Sequence, residues 1–132
     1  MALNASVAAR NAMADAFTTF LGNGARLVIY AGAQPTDATG SAGTVLVTIP
    51  LAAGAAFGTA SSGTITLAGV PLSANASASG TGVWGRFFKS DGTTVGGDLS
   101  VGTTGTDIII TNPTISSGNP VQITSLTITF PA

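Results

Sequence analysis

The chain has 132 residues, a net charge of −1 and only 7% charged residues, and it contains no histidine, cysteine or glutamate. Its ionisable side chains are Asp15, Asp37, Asp91, Asp98, Asp107, Arg10, Arg26, Arg86, Lys89 and Tyr30. Proton transfer, nucleophilic attack and metal binding draw mostly on His, Cys, Glu, Asp and Lys, so the composition argues against an enzyme, a metal protein or a disulfide scaffold.

Forty-five per cent of the residues are hydrophobic, whereas ordinary soluble domains carry about 25% charged residues. A surface so poor in charge favours self-association, which leaves a membrane protein or a subunit covered by neighbours. The longest apolar run, Val45 to Phe57, is broken by Thr48, Pro50 and Gly54 and is shorter than the ~18–20 residues a spanning helix needs. An outer-membrane barrel would need ~10-residue alternating strands and aromatic girdles; one Trp and one Tyr do not supply them. The opening residues lack a basic n-region, and Arg10 and Asp15 interrupt any apolar segment, so folding in the cytoplasm is expected. Obligate assembly is the explanation that survives.

Leu3 to Leu21 reads as an Ala-rich helix, with Ala9, Met13, Phe17, Phe20 and Leu21 stacked on one face. Asn4 is its expected N-cap, and Gly22-Asn23-Gly24 its stop. The stripe packs on the domain's own sheet or docks on a neighbouring subunit. After Gly24 the chain turns β-branched: Arg26 to Tyr30 reads as a strand, Thr36 to Gly43 as a polar loop, and Thr44 to Ile49 as a strand that Pro50 places at an end or edge. Ala52 to Ala60 reads as loop and Thr64 to Leu67 as a short strand. Pro71 to Gly80 is a low-complexity edge strand or loop.

Val83 to Lys89 is the clearest core strand. Trp84, Arg86 and Phe88 face one way and Val83, Gly85 and Phe87 the other, which implies cover on both sides. Ser90-Asp91-Gly92-Thr93 signals a hairpin, returning through Thr94-Val95 and Asp98 to Val101. Asp107 to Thr111 is the next strand and Val121 to Phe130 the last. In the last strand Val121 and Ile123 share one face, whereas Leu126, Ile128 and Phe130 share the other. That phase change predicts a bulge near Thr124-Ser125. The expected fold is mainly β: a β-sandwich or jelly-roll-like barrel of about seven to eight short strands with one N-terminal α-helix. The expected organisation is a single β domain over residues 1–132, with a helix over 1–22 and a sandwich over 25–132.

The constellations that could carry chemistry are thin. Gly22-Asn23-Gly24 and Gly96-Gly97 lack the Gly-Lys-Ser/Thr context of a phosphate cradle, since Lys89 is the one lysine and lies elsewhere. Asp91, Asp98 and Asp107 sit on separate turns and strand starts, where aspartate bonds its own backbone more often than calcium. Arg86, on the Trp84 strand, could stack on an aromatic ring or pair with an aspartate, and a surface position or a subunit salt bridge fits it better than ligand recognition. Four basic residues against five acidic ones form no nucleic-acid footprint. Trp84, Phe87 and Phe88 fit core packing better than a carbohydrate groove. No catalytic, cofactor or metal residue is assigned.

The segments Ala8 to Ala16 and Arg26 to Pro35, Trp84-Gly85-Arg86-Phe87 with Ser90 to Thr93, Ser100 to Asp107, and Ser125 to Thr129 together resemble a group of small virion structural proteins of tailed bacteriophages. The resemblance spans nearly the whole chain, but its motifs are turns and strands, so it implies no site residues. It implies location in the virion after synthesis and assembly in the host cytoplasm. It also implies homo-oligomerisation, with a trimer favoured, and the major capsid protein or other virion proteins as partners, without nucleic acid or membrane. Size and low charge favour a capsid cement or decoration role. The alternatives are a tail or connector protein and a receptor- or carbohydrate-binding virion module. The helix and the loops Thr36 to Gly43 and Pro71 to Gly80 are the expected contact surfaces.

Overall fold

The computed structural model describes residues 5–36 and 43–130. Helix α1 (Val7–Leu21) is capped by Ser6, whose Oγ accepts the Ala9 N–H at 3.1 Å and so satisfies one of the unpartnered first-turn donors. The helix therefore starts four residues later than the sequence suggests, and Ser6 takes the role expected of Asn4, which lies outside the described residues. At the other end Gly22, at φ +68°, donates to the Thr18 carbonyl at 3.1 Å, and the expected glycine stop is present.

The rotation of α1 differs from the expected one. Ala14 and Leu21 are buried and Phe17 is half-buried, whereas Ala9, Met13 and Phe20 are exposed. Polar tethers fix this rotation. Asn11 Oδ1 accepts the Gly63 N–H at 2.7 Å, and Asp15 Oδ1 accepts the Ala60 N–H at 2.9 Å, turning the Arg10/Ala14/Phe17/Leu21 side inward. Phe17 then enters an aromatic cluster, with centroids 6.1 Å from Phe57, 5.9 Å from Phe87 and 6.3 Å from Phe130. Hydrophobic periodicity alone misplaced the helix because alanine is compatible with either face.

The strands are β1 (Arg26–Tyr30), β2 (Val45–Pro50), β3 (Thr64–Thr66), β4 (Leu72–Asn75), β5 (Gly80–Thr81), β6 (Trp84–Phe88), β7 (Val95–Gly102), β8 (Ile108–Ile110), β9 (Thr114–Ile115) and β10 (Pro120–Thr129). Eight of them form one curled sheet in the order β2-β1-β6-β7-β8-β10-β3, with β4 also on β10, while β5 and β9 pair separately. The protein is thus mainly β with one helix and a wall of about seven to eight strands, as its sequence implied, and that wall curls into a half-barrel. All neighbouring pairs are antiparallel except β7–β8.

The last strand carries the expected bulge, between Ile123 and Ser125. Its first part pairs with β4 and its last part with β3, so one strand joins two regions of the wall. Ser77 N–H donates to the carbonyl of Leu46 in β2, and bridges Phe57–Leu67 and Ser61–Thr64 flank β3. These partners occupy edge groups that would otherwise template pairing with another chain.

The concave side holds the main core, which includes Leu21, Leu27, Ile29, Val47, Ile49, Phe57, Ile65, Phe87, Ile108, Ile110, Ile123 and Leu126. Gly96 lets α1 reach it: a Cβ there would lie 2.7 Å from Leu21 Cδ2 and 3.1 Å from Phe87 Cβ. Among the described residues no helix is long and apolar enough to cross a membrane.

Candidate functional site

The convex face of β1, β6 and β7 carries the cluster with the most chemical character. Strand alternation puts Val28 and Tyr30 of β1, and Trp84, Arg86 and Phe88 of β6, on this face. The pairs Tyr30–Trp84 and Val28–Arg86 are directly opposite. The Tyr30 and Trp84 rings stack at 4.5 Å and 17°, and the Arg86 guanidinium lies 5.0 Å from the Trp84 centroid. Asp98 of β7 closes the cluster, accepting from Arg86 Nε at 2.6 Å and Nη2 at 3.0 Å, with both side chains only 5% exposed.

A bulge makes this ion pair. Lys89 N–H donates to the Thr94 carbonyl and Phe88 pairs with Val95, but Phe87 pairs with Gly97, so Gly96 is the extra residue. Without it Arg86 would face Gly97; with it Asp98 stands opposite Arg86. Gly96-Gly97 is thus a bulge in a hairpin, and Gly96 serves both the helix on one side and the ion pair on the other.

Arg86 was expected at the surface or between subunits; the structure buries it within one chain, because the bulge delivers a carboxylate and Trp84 a ring face. The strand is closed on both sides, as its sequence implied: Trp84 and Phe87 are both fully buried, on opposite faces. Trp84 therefore presents no ring face to solvent, and Phe88 alone of the three aromatic candidates is partly exposed. Val83 is exposed and lies just before β6. Burial raises the Tyr30 pKa above its ordinary value, with Arg86 opposing the effect and Asp98 adding to it.

The other aspartates are separated. Asp91 orders the β6–β7 turn: its Oδ1 accepts from Thr93 N–H at 2.9 Å and Thr94 N–H at 2.8 Å, and its Oδ2 accepts from the Thr94 hydroxyl. These bonds, the Thr94 hydroxyl first, hold its pKa down at about 2. Asp107 Oδ2 accepts from the Ser100 hydroxyl at 3.1 Å, and Asp107 N–H donates back to that hydroxyl at 3.1 Å. No cluster of three acidic side chains forms among the described residues. Asp37 lies outside them.

Gly22 and Gly24 shape the turn after α1, where Asn23 Oδ1 accepts the Gly54 N–H at 2.8 Å. The stretch Pro71 to Gly80 is woven into the wall as β4, with Ala76 N–H on the Asn119 carbonyl. Most of the loop Thr36 to Gly43, residues 37–42, lies outside the described residues.

Val45, Val70 and Val83 stand exposed singly along the wall, and two further large apolar side chains stand exposed on the outer side of α1. Met13 is 38% and Phe20 45% exposed, and Ala8, Ala9, Ala12 and Ala16 lie exposed beside them. Lys89 Nζ sits 4.8 Å from the Phe20 centroid at the C-terminal end. The structure divides the sequence-predicted stripe, turning Leu21 and part of Phe17 into the core and leaving Ala9, Met13 and Phe20 outward. Comparisons with protein-family models, curated proteins and solved structures give no match.

Proposed function

We propose that the chain is a structural subunit of a tailed-bacteriophage virion, and that it acts as a capsid cement or decoration protein. The observation that carries this reading is the outer face of α1, where Met13 and Phe20 stand exposed among alanines. Isolated exposed apolar residues are ordinary, but a continuous apolar stripe marks an interaction surface. Burying it against a shell yields roughly 25 cal/mol per Å² before association costs. Many equivalent copies then share the load of internal genome pressure, so each contact is modest. The resemblance to virion structural proteins supports the same reading, and the trimer follows from that analogy. The deployment of Asp91, Asp98 and Asp107 in turns and an ion pair supports a non-enzymatic role.

A tail or connector subunit is the second reading, resting on the same apolar face. A carbohydrate-binding module draws less support, since Trp84, the best sugar platform in the sequence, is fully buried. Copy number separates these readings. Quantitative mass spectrometry of purified particles is expected to find hundreds of copies on heads; a dozen or fewer, confined to tails, would overturn the cement role.

A further inference from the structure

We infer that Asn23 is a site of spontaneous covalent modification, at which the Gly24 amide nitrogen closes on the Asn23 side-chain carbonyl and the asparagine becomes aspartate or isoaspartate. Asn23 and Gly24 form the exposed turn between α1 and β1. Asn23 Oδ1 accepts the Gly54 N–H at 2.8 Å. That donor sits on the oxygen that takes up charge when the carbonyl carbon is attacked, the arrangement that stabilises a tetrahedral intermediate. Gly24, at φ +82°, supplies a nucleophile with no side chain beside it. A Cβ there would lie 3.2 Å from Ser90 Cβ, so the packing of the turn against the β6–β7 hairpin favours glycine at this position.

Water is the only co-reactant. The Gly24 nitrogen bonds to Asn23 Cγ and gives up its proton, the Cγ–Nδ2 bond breaks, and ammonia leaves with that proton. Water then opens the cyclic imide at either carbonyl. The other described asparagines each lack a requirement. Asn112 and Asn119 precede Pro113 and Pro120, which carry no N–H. Asn75 lies in β4, and the Ala76 N–H that follows it is engaged by the Asn119 carbonyl at 2.9 Å. Asn11 lies inside α1, where the next amide belongs to the helical ladder. The parallel Asp91-Gly92 step is closed because Asp91 accepts three hydrogen bonds from Thr93 and Thr94 as a carboxylate, a poor electrophile. Aspartate at position 23 keeps an acceptor for Gly54, whereas isoaspartate lengthens the main chain by one carbon and displaces it, loosening the turn behind α1. The inference stands whether or not the protein resides in a virion.

The test is to hold the intact protein in mildly alkaline buffer, with a urea-denatured sample alongside, and to follow both by ion exchange and peptide mapping with mass spectrometry. The folded chain is expected to gain one negative charge, with the amide lost from Asn23 and resolved from Asn11 by fragmentation. Part of the product is expected to score as isoaspartate by methyltransferase labelling. Asn23→Gln, whose longer side chain closes a ring far more slowly, is expected to stay unconverted, and Asn23→Asp to elute with the acidic product of the parent. First amide loss at another asparagine of the folded chain, the same acidic species in Asn23→Gln, or conversion in the denatured sample alone would each overturn the proposal.

Discussion

Replacing Asp98 by alanine removes a carboxylate from a buried, bidentate pair while leaving Arg86 in the interior. Both side chains are 5% exposed and the two bonds measure 2.6 and 3.0 Å, so this is not a surface bridge worth about 0–1 kcal/mol. Breaking one side of a buried pair costs about 3–5 kcal/mol. Arg86 keeps the Trp84 ring face at 5.0 Å, and cation–π attraction in a desolvated place offsets part of that loss. The expected cost is therefore at the lower end, about 3 kcal/mol. Urea unfolding followed by Trp84 fluorescence reads it directly, because the single tryptophan lies against the pair. With a urea slope of about 1.5 kcal/mol/M, the midpoint falls by about 2 M. The double variant Arg86→Met/Asp98→Leu removes both members of the pair, and it is expected to be more stable than Asp98→Ala. A cost below about 1 kcal/mol for Asp98→Ala, or a double variant less stable than the single one, would refute the reasoning.

Other expectations follow from the helix, the turn and the tyrosine. Ala14→Leu, on the inward side of α1, should destabilise by about 1–3 kcal/mol through overpacking, whereas Ala12→Leu on the outward side should stay within about 0.5 kcal/mol; thermal or urea unfolding of the two variants checks the rotation of the helix. Asp91 is held at about 2 in the folded state against an ordinary 3.8, so its contribution is complete above the unfolded value and is lost as pH falls toward 2. Urea midpoints measured from pH 5 down to 2 should fall less steeply in Asp91→Asn than in the parent. Tyr30 has its pKa raised by burial, so it favours the fold below the unfolded value of about 10 and ceases to do so as pH rises through the folded one. An absorbance titration should show phenolate only above pH 10 while the protein stays folded.

Much of the wall was legible from the sequence because alternation and turn chemistry are local. Asp91-Gly92 announced the β6–β7 hairpin, and the phase change after Ile123 announced the bulge in β10, since a one-residue slip moves side chains to the other face. That Arg86 could meet an aspartate was legible, but that the aspartate is Asp98 was not. Its register depends on the extra residue at Gly96, and nothing local distinguishes a bulge glycine from a turn glycine. The rotation of α1 was hidden for a related reason: its tethers, Asn11 to Gly63 and Asp15 to Ala60, span 52 and 45 residues, and its inward face includes Arg10, which periodicity assigns to solvent. Short strands β5 and β9 carry too few residues for an alternating pattern.

The central claim is that the outer face of α1 joins the protein to a larger shell. Purified heads depleted of the protein can be mixed with it and heated while DNA release is followed. The parent chain should rebind and raise the release temperature, and Met13→Glu/Phe20→Glu, with its urea midpoint unchanged, should do neither. Failure of the parent to bind depleted heads, or equal protection by the charged variant, would contradict the account.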